Sequence, residues 1–437
     1  MIVGRTSPLE LLRSRPGRLE LKRRYTTWLW PIAARITGLY RRTLARRIRI
    51  VAVTGSVGKT TTMRTVSAAL GLPVSRAALL NSNSTAAVGR ALVRTPPWRR
   101  RAVFELGISS FGHMRQLARL TRPNIAVVTA VKSDHWRSFK TLEATRNEKA
   151  DIVRALPQTG VAVLNADDEN VRWMASQTRA RVVLAGEAED ADVRATGVRL
   201  DWPHGMRFEV HVDGEVRPVS IHLVGRHMVF AALAAIAVAH LVEGRALDDV
   251  IAAVEKVEPT PGRMQTMALP NGAFALRDDF KSTDDSFSAA LDTFAQIPAS
   301  RHLVVFGEIA EVTGRQAYRD VAEQTARFVD RAIFVGSKSN LQPFRSGTTA
   351  AGMAVDRVRH ARHAWEATDM LRDELGPGDV VLIKGRWQQA LGRVGLELAG
   401  RDVQCRADPC PFKRMLCDVC PFLGQPFTGL GGSVSAD

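Results

Sequence analysis

At 437 residues the chain exceeds the usual single-domain size, so two or three domains are expected, each with its own core. Apolar residues at 45% and charged residues at 24% are ordinary globular values, which sets aside disordered and fibrous classes. A formal charge of +17, mostly arginine, favours acidic partners such as nucleotides, phospho-substrates, anionic lipid or nucleic acid, and alone chooses none of them.

Residues 1–48 form a basic segment, with Arg13, Arg15, Arg18, Lys22-Arg23-Arg24, Arg41-Arg42 and Arg46-Arg47 against only Glu10 and Glu20. Between the basic runs lies an aromatic and apolar stretch from Tyr25 to Tyr40 that holds Trp28 and Trp30. It is too short to span a bilayer, which needs roughly 20 apolar residues, and no cleavage site marks a signal peptide. Two readings remain open. The helix packs its Trp face on the next domain with Arg outside, or it lies on an anionic membrane surface.

The stretch from Ile48 to Met63 organises the chain. Ile50-Val51-Ala52-Val53 reads as a buried parallel strand. Thr54-Gly55-Ser56-Val57-Gly58 follows as a Gly-rich turn, and Lys59-Thr60-Thr61 opens a helix. Strand, Gly loop and helix aim backbone N–H groups and a positive helix end at a phosphate. Gly58 allows close backbone approach, Lys59 reaches the outer phosphates, and the Thr60 hydroxyl suits Mg²⁺. The general P-loop pattern places a Gly where Val53 stands, so the loop is a variant, T-G-x-x-G-K-T-T.

From Val51 strands and helices alternate. Ala102-Val103-Phe104 ends in Glu105, Ile125 to Thr129 leads to Asp134-His135, and strands are expected at Gly160–Asn165 and Arg181–Leu184. Polar residues at the carboxyl ends of parallel strands converge on one crevice, so Glu105 and His135 are site candidates. After Ala195 short alternating segments suggest antiparallel strands, and one alanine-rich helix is expected from His227 to about Val242. Pro and Gly around Thr260-Pro261-Gly262-Arg263 mark a boundary, giving a central domain over 49–258 and a smaller Rossmann-like domain over 259–400. Three apolar strands there end at Gly307, Gly336 and Lys384-Gly385. The fold class is α/β.

Here the ordered motifs resemble one family. Besides the Gly loop, Glu105-Leu-Gly, Arg122-Pro-Asn, Asp134-His135, Lys149-Ala-Asp-Ile, Asn165-Ala-Asp-Asp168, Gly225-Arg-His227, Gly262-Arg263-Met264, Asp278-Asp279 and Lys384-Gly385 occur in the order seen in Mur ligases, nearest the MurF type, over roughly Ile50 to Arg386. The resemblance implies a ligase that uses ATP and Mg²⁺ to turn a carboxylate into an acyl phosphate, which an amine attacks to give an amide, ADP and phosphate. It further implies that Thr60 and Glu105 bind one Mg²⁺ and His135 a second, and that Lys149 is carbamylated into a carboxylate-like ligand. By it Lys59, Lys149 and His135 are catalytic. His227, Arg263 and Asp279 join the loop residues 54–61 in binding the nucleotide, with domain closure assembling the site.

Three departures stand out. The family has Asn after His227 and again three residues on, where this chain has Met228 and Ala231. After Asp279 the chain reads Phe280-Lys281-Ser282-Thr283, where MurF-type enzymes have Tyr-Asn-Ala-Asn. Only a short basic segment precedes the loop, so the domain that grips a UDP-linked substrate is expected to be absent. The acceptor is then a growing peptide, a small amino acid or a carrier-linked acid.

All four cysteines fall in a tail over 401–437, as Cys405, Cys410, Cys417 and Cys420. Clustering of this kind argues for metal in a reducing cytosol, with Zn²⁺ ahead of an Fe–S cluster or redox thiols. A site of four thiolates can contribute about 10–16 kcal/mol to folding a short tail. The chain is thus expected in the cytoplasm, with attachment to the inner membrane face left open as one of the two readings of the basic segment. Two other functions stay open. One is a nucleotide-binding subunit active only with a partner such as an amidotransferase. The other is a basic, zinc-bearing nucleic-acid binder, against which no aromatic-and-basic interleaving appears.

Overall fold

The computed structural model describes residues 30–73, 83–132, 139–310, 314–412 and 415–429, the side chains of Pro31 and Asp284 excepted. Trp28, the Lys22-Arg23-Arg24 run, Asp134 and His135 lie outside the described residues.

Helix α1 (Trp30–Arg42) leads into β1 (Arg49–Thr54), whose last five residues are all buried. A strand covered on both faces reads as an unbroken apolar run, which is what Ile50 to Val53 shows. Full burial of each large side chain there contributes about 1.5–3 kcal/mol. After β1 come α2 (Lys59–Ala69), α3 (Thr85–Arg94), β2 (Arg101–Glu105), α4 (His113–Thr121), β3 (Ile125–Val128), α5 (Leu142–Arg154), β4 (Val161–Asn165) and β5 (Arg181–Gly186). Strands β6 (Val193–Asp201), β7 (Gly205–Val212) and β8 (Glu215–Ile221) complete an eight-stranded sheet in the order β2-β1-β3-β4-β5-β6-β7-β8. Pairing is parallel through β6 and antiparallel at β7 and β8. Because β2 and β3 flank β1, the strand order reverses at β1, where such sheets open a crevice.

The alanine-rich stretch is not one regular helix. It starts with a 3₁₀ turn at Arg226–Met228, runs as α6 (Val229–Ile236) and widens into a π-turn over Ala237–Val242. Every residue of α6 is buried, and the helix packs on α2 behind the Gly loop. Helix α7 (Leu247–Glu255) closes this unit.

The second sheet has the order β13-β12-β11-β14-β10-β9. Its strands are β9 (Gln265–Ala268), β10 (Phe274–Asp278), β11 (His302–Phe306), β12 (Arg331–Val335), β13 (Val358–Ala361) and β14 (Val380–Lys384), with α8 (Asp284–Phe294) after β10. Only β9 runs antiparallel. Strands β9, β10 and β13 escape the sequence reading because they are short and carry charged or polar residues such as Arg277 and His360. One continuous apolar cluster includes Val53 and Leu233 of the first unit and Phe287 and Phe306 of the second.

The tail packs on the second unit. Leu396, Val403 and Leu423 form a small cluster, and the rings of Phe412, Phe422 and Phe427 stack at centroid separations of 4.9 to 5.6 Å.

Candidate active site

The loop after β1 is built for backbone approach. Gly55 has φ +145°, and a Cβ there would stand 1.9 Å from Thr129 Oγ1, so no other residue fits. Gly58 takes the left-handed φ of 78° at the start of α2, which has no side-chain cap and no acidic residue in its first turn. Its opening N–H groups therefore point outward unclaimed by a capping side chain, as an anion requires. The loop is fastened to the end of β3: Ser56 N donates to Ala130 O at 2.7 Å, and Thr129 Oγ1 to Val57 O at 2.5 Å.

Three ammonium groups converge on two adjacent carbonyls of this loop. Lys59 Nζ donates to Gly55 O at 2.8 Å and Ser56 O at 3.1 Å, buried Lys149 Nζ to Gly55 O at 3.1 Å, and Lys281 Nζ to Ser56 O at 2.8 Å. Lys281 comes from the second unit, so both units meet at the loop. Such a concentration of positive charge matches a polyphosphate.

Beside it Thr60 Oγ1 donates to Glu105 Oε2 at 2.6 Å, and Asn83 Nδ2 to Glu105 Oε1 at 2.9 Å. Oxygen donors of this kind suit a hard divalent cation such as Mg²⁺. Thr54 and Thr61 are buried, and Thr54 Oγ1 donates to Leu106 O, which ties β1 to the segment after β2.

A cleft of about 350 Å³ extends from the loop, bounded by Gly58, Asn165, Asp167, Arg226, Met228 and Ala231. Asp167 accepts from Glu187 N and Ala188 N at 2.9 Å, while Arg226 holds the Glu187 carboxylate at 2.7 and 2.5 Å. Met228 and Ala231 thus line the cleft where the family has amides. His227 borders it too. Burial pushes its pKa below the ordinary value, Asp278 opposes that and Lys384 adds to it.

On the second unit, buried Lys384 is ion-paired with Asp278 and donates to Lys281 O at 3.0 Å, which sets the Lys281 backbone. Burial depresses the Lys384 pKa, with Asp278 acting against it. The Arg263 guanidinium lies 4.8 Å over the Phe280 ring. Both oxygens of Asp279 accept from buried Arg277, at 3.0 and 3.3 Å, and burial raises the Asp279 pKa against that pairing. Arg277 also bonds Asp418 of the tail at 2.8 and 3.1 Å. The nucleotide-facing role expected of Asp279 therefore competes with this ion pair.

The expected Zn²⁺ site is not shown. Among the described residues no three His, Cys, Asp or Glu side chains are placed to hold a metal ion, and all four cysteines are free thiols. Buried Arg393 borders Cys410, Cys417 and Cys420, and its Nη1 donates to Ala407 O at 2.9 Å. Burial pushes the Cys417 thiol up to about 12. The stacked rings and the Arg277–Asp418 pair hold the tail on the second unit.

Sequence reading missed Asn83, Lys281, Arg277 and Asp418. Lys281 stood in the run noted as a departure, and its charge was the available signal. The other three act through contacts between distant segments, which no local pattern announces.

The Mur ligase middle domain model matches residues 53–239, and the Mur ligase glutamate ligase domain model matches residues 262–387. UDP-N-acetylmuramoyl-tripeptide–D-alanyl-D-alanine ligase of Mycobacterium tuberculosis is 31% identical over 397 residues, covering 85% of this chain and 77% of its own length. The Escherichia coli enzyme of that name is 31% identical, with 68% and 67% covered. Among solved structures, MurF of Thermotoga maritima in complex with ADP matches at TM-score 0.72 and 18% identity, covering 84% of this chain and 82% of its own. Folylpolyglutamate synthase of M. tuberculosis matches at TM-score 0.63 and 18% identity, covering 85% and 95%. The chain belongs to the Mur ligase family of ATP-dependent, amide-forming ligases.

Proposed function

We propose that this chain couples a carboxylate on an anionic, carrier-linked acid to the amine of an amino acid or short peptide. The observation that carries the reading is the convergence of Lys59, Lys149 and Lys281 on the Gly loop, beside the Thr60–Glu105 pair. The γ-phosphoryl group of ATP passes to a carboxylate oxygen, giving an acyl phosphate and ADP. The amine nitrogen then attacks the acyl carbon, sheds a proton and expels phosphate.

Each residue has a physical part. The amides at the start of α2 and the three lysines hold the triphosphate and neutralise charge as it shifts to the leaving oxygen. Thr60 and Glu105 would hold Mg²⁺, which neutralises charge on the β- and γ-phosphate oxygens when bound. Asn83 fixes the Glu105 carboxylate. Lys149 is assigned the carbamate of the family: its neutral amine adds CO₂, forms an N–C bond and releases a proton. His135, in the family's second-metal role, is assigned by position in the sequence alone. The nucleotide base enters the cleft of Met228 and Ala231, where apolar contact replaces the family's amides and Asp167 and Arg226 supply polarity.

A groove of about 550 Å³ along the outer edge of β2 supports an anionic acid. It reaches Glu105 and carries Arg90, Arg94, Arg99 and Arg101. The acid and amine of the MurF relatives, UDP-N-acetylmuramoyl-tripeptide and D-alanyl-D-alanine, are the first pair to try. With the acid labelled by ¹⁸O in its carboxylate, label should appear in the released phosphate, and only when the amine is present should amide form. Unlabelled phosphate formed alongside amide would refute the acyl-phosphate route.

A further inference from the structure

Helix α1 docks by one face, which buries Thr37 and Arg41, and turns a second, apolar face outward. Its inner face docks on the first unit. A Cβ at Gly89 of α3 would stand 2.3 Å from the Trp30 ring, so glycine there makes room for the tryptophan. Buried Arg41 donates to Thr121 O, Ala45 O and Arg122 O at 2.7, 2.6 and 2.9 Å, and Tyr40 Oη to Thr95 O at 2.5 Å. These contacts fix the helix about its own axis. The sequence reading of Trp inside is met at Trp30, but Arg41 is inside as well.

The outer face repeats at i, i+4 and i+7: Ile32, Ile36 and Leu39 are 61, 58 and 64% exposed. Leu44, just beyond the helix, is 66% exposed. Trp98, at the tip of the turn closed by Arg99 N and Pro96 O, is 80% exposed. A fixed helix that turns a second apolar stripe to water is an interaction surface rather than core.

Charge indicates what covers it. From Trp30 to Ile50 the sequence has six arginines and no carboxylate, and Arg35, Arg42, Arg46 and Arg47 are exposed. Arg42 and Arg46 also line an open cleft of about 710 Å³ together with Arg41, Arg119 and Arg122, and among the described residues no acidic side chain lines it. An apolar stripe next to an open, basic cleft is complementary to a bilayer with anionic headgroups. Apolar insertion and electrostatic attraction together give stable but reversible attachment. No helix among the described residues is long and apolar enough to cross a membrane, so attachment would be on the surface.

We propose that the outer face of α1 and the Arg42–Arg122 cleft form a docking surface for anionic lipid bilayers. The stripe enters the headgroup–acyl boundary, and the cleft takes lipid phosphates.

The test is co-sedimentation of the full chain with phosphatidylcholine vesicles, with and without about 30% phosphatidylglycerol, in about 0.1 M salt. Binding should require the anionic lipid. It should fall about tenfold or more in Ile32→Ser/Ile36→Ser/Leu39→Ser and again in Arg42→Glu/Arg46→Glu. Both variants should keep the wild-type melting temperature, because the side chains changed are exposed. Three results would overturn the proposal. Wild type could ignore the anionic vesicles. The serine variant could bind them as wild type does, leaving only nonspecific charge attraction that heparin would mimic. Or wild type could be a dimer that the serine variant makes monomeric, in which case a second copy covers the stripe.

Discussion

The Gly loop and the cysteine tail are two motif-bearing regions that the structure treats differently. In the loop the function lies in backbone geometry. Gly55 has a φ and a clearance that only glycine meets, and Gly58 a left-handed φ that favours glycine, so a short string of residues already determines the shape. In the tail, metal binding needs four side chains to converge, and that depends on everything packed between them. There Arg393, the ring stack and the Arg277–Asp418 pair hold the segment, while the cysteines stay free thiols. A motif that specifies backbone is readable locally; one that specifies side-chain placement depends on the packing around it.

The sharpest way to break this contrast is at the loop. Lys59→Ala should lower amine-dependent ADP release by roughly 10²–10³-fold or more, since it removes a charged donor from the transferring phosphoryl group. Turnover near wild type would remove the loop from the chemistry. Gly55→Ala puts a methyl group 1.9 Å from Thr129 Oγ1 and should destabilise the protein by about 4 kcal/mol, read in urea titration.

The tail supplies the next test. Asp418→Ala leaves the buried Arg277 guanidinium with Asp279 as its remaining carboxylate partner and should be destabilising by about 3 kcal/mol. A chelator should leave that difference unchanged if the ion pair, not a metal, holds the tail. Lys281→Ala removes the second unit's contribution to the cradle, and the KM for ATP should rise about tenfold.

The smallest effect concerns pH. The His227 pKa is depressed in the folded chain, so below about 6.5 the unfolded chain binds more protons and stability falls as pH drops toward the folded value. His227→Gln should flatten that part of the stability curve by a few tenths of a kcal/mol, measured as melting temperature between about pH 5 and 7.

Much of the fold was legible in the chain. The buried strands β1, β3, β4, β5, β11, β12 and β14 are unbroken apolar runs, and they stand where those runs predict. Strands β9, β10 and β13 were not, because edge position or buried ion pairs let them carry Gln265, Arg277 and His360. In the site, the loop and Glu105 could be found from strand ends, whereas Asn83 and Lys281 are brought in by segments whose approach only the fold determines. The helix at Trp30–Arg42 showed its aromatic and apolar residues but not which face docks, since Thr37 and Arg41 are buried while Ile32, Ile36 and Leu39 are exposed.

Central to the proposed chemistry is a triphosphate held by the amides and lysines of the Gly loop. Hydrogen exchange of the full chain with and without AMP-PNP and Mg²⁺ tests this most directly. Slowed exchange in the peptide spanning Gly55–Thr61, together with the one containing Lys281, is the predicted result. Saturable nucleotide binding that left both peptides exchanging at their unliganded rates would contradict it.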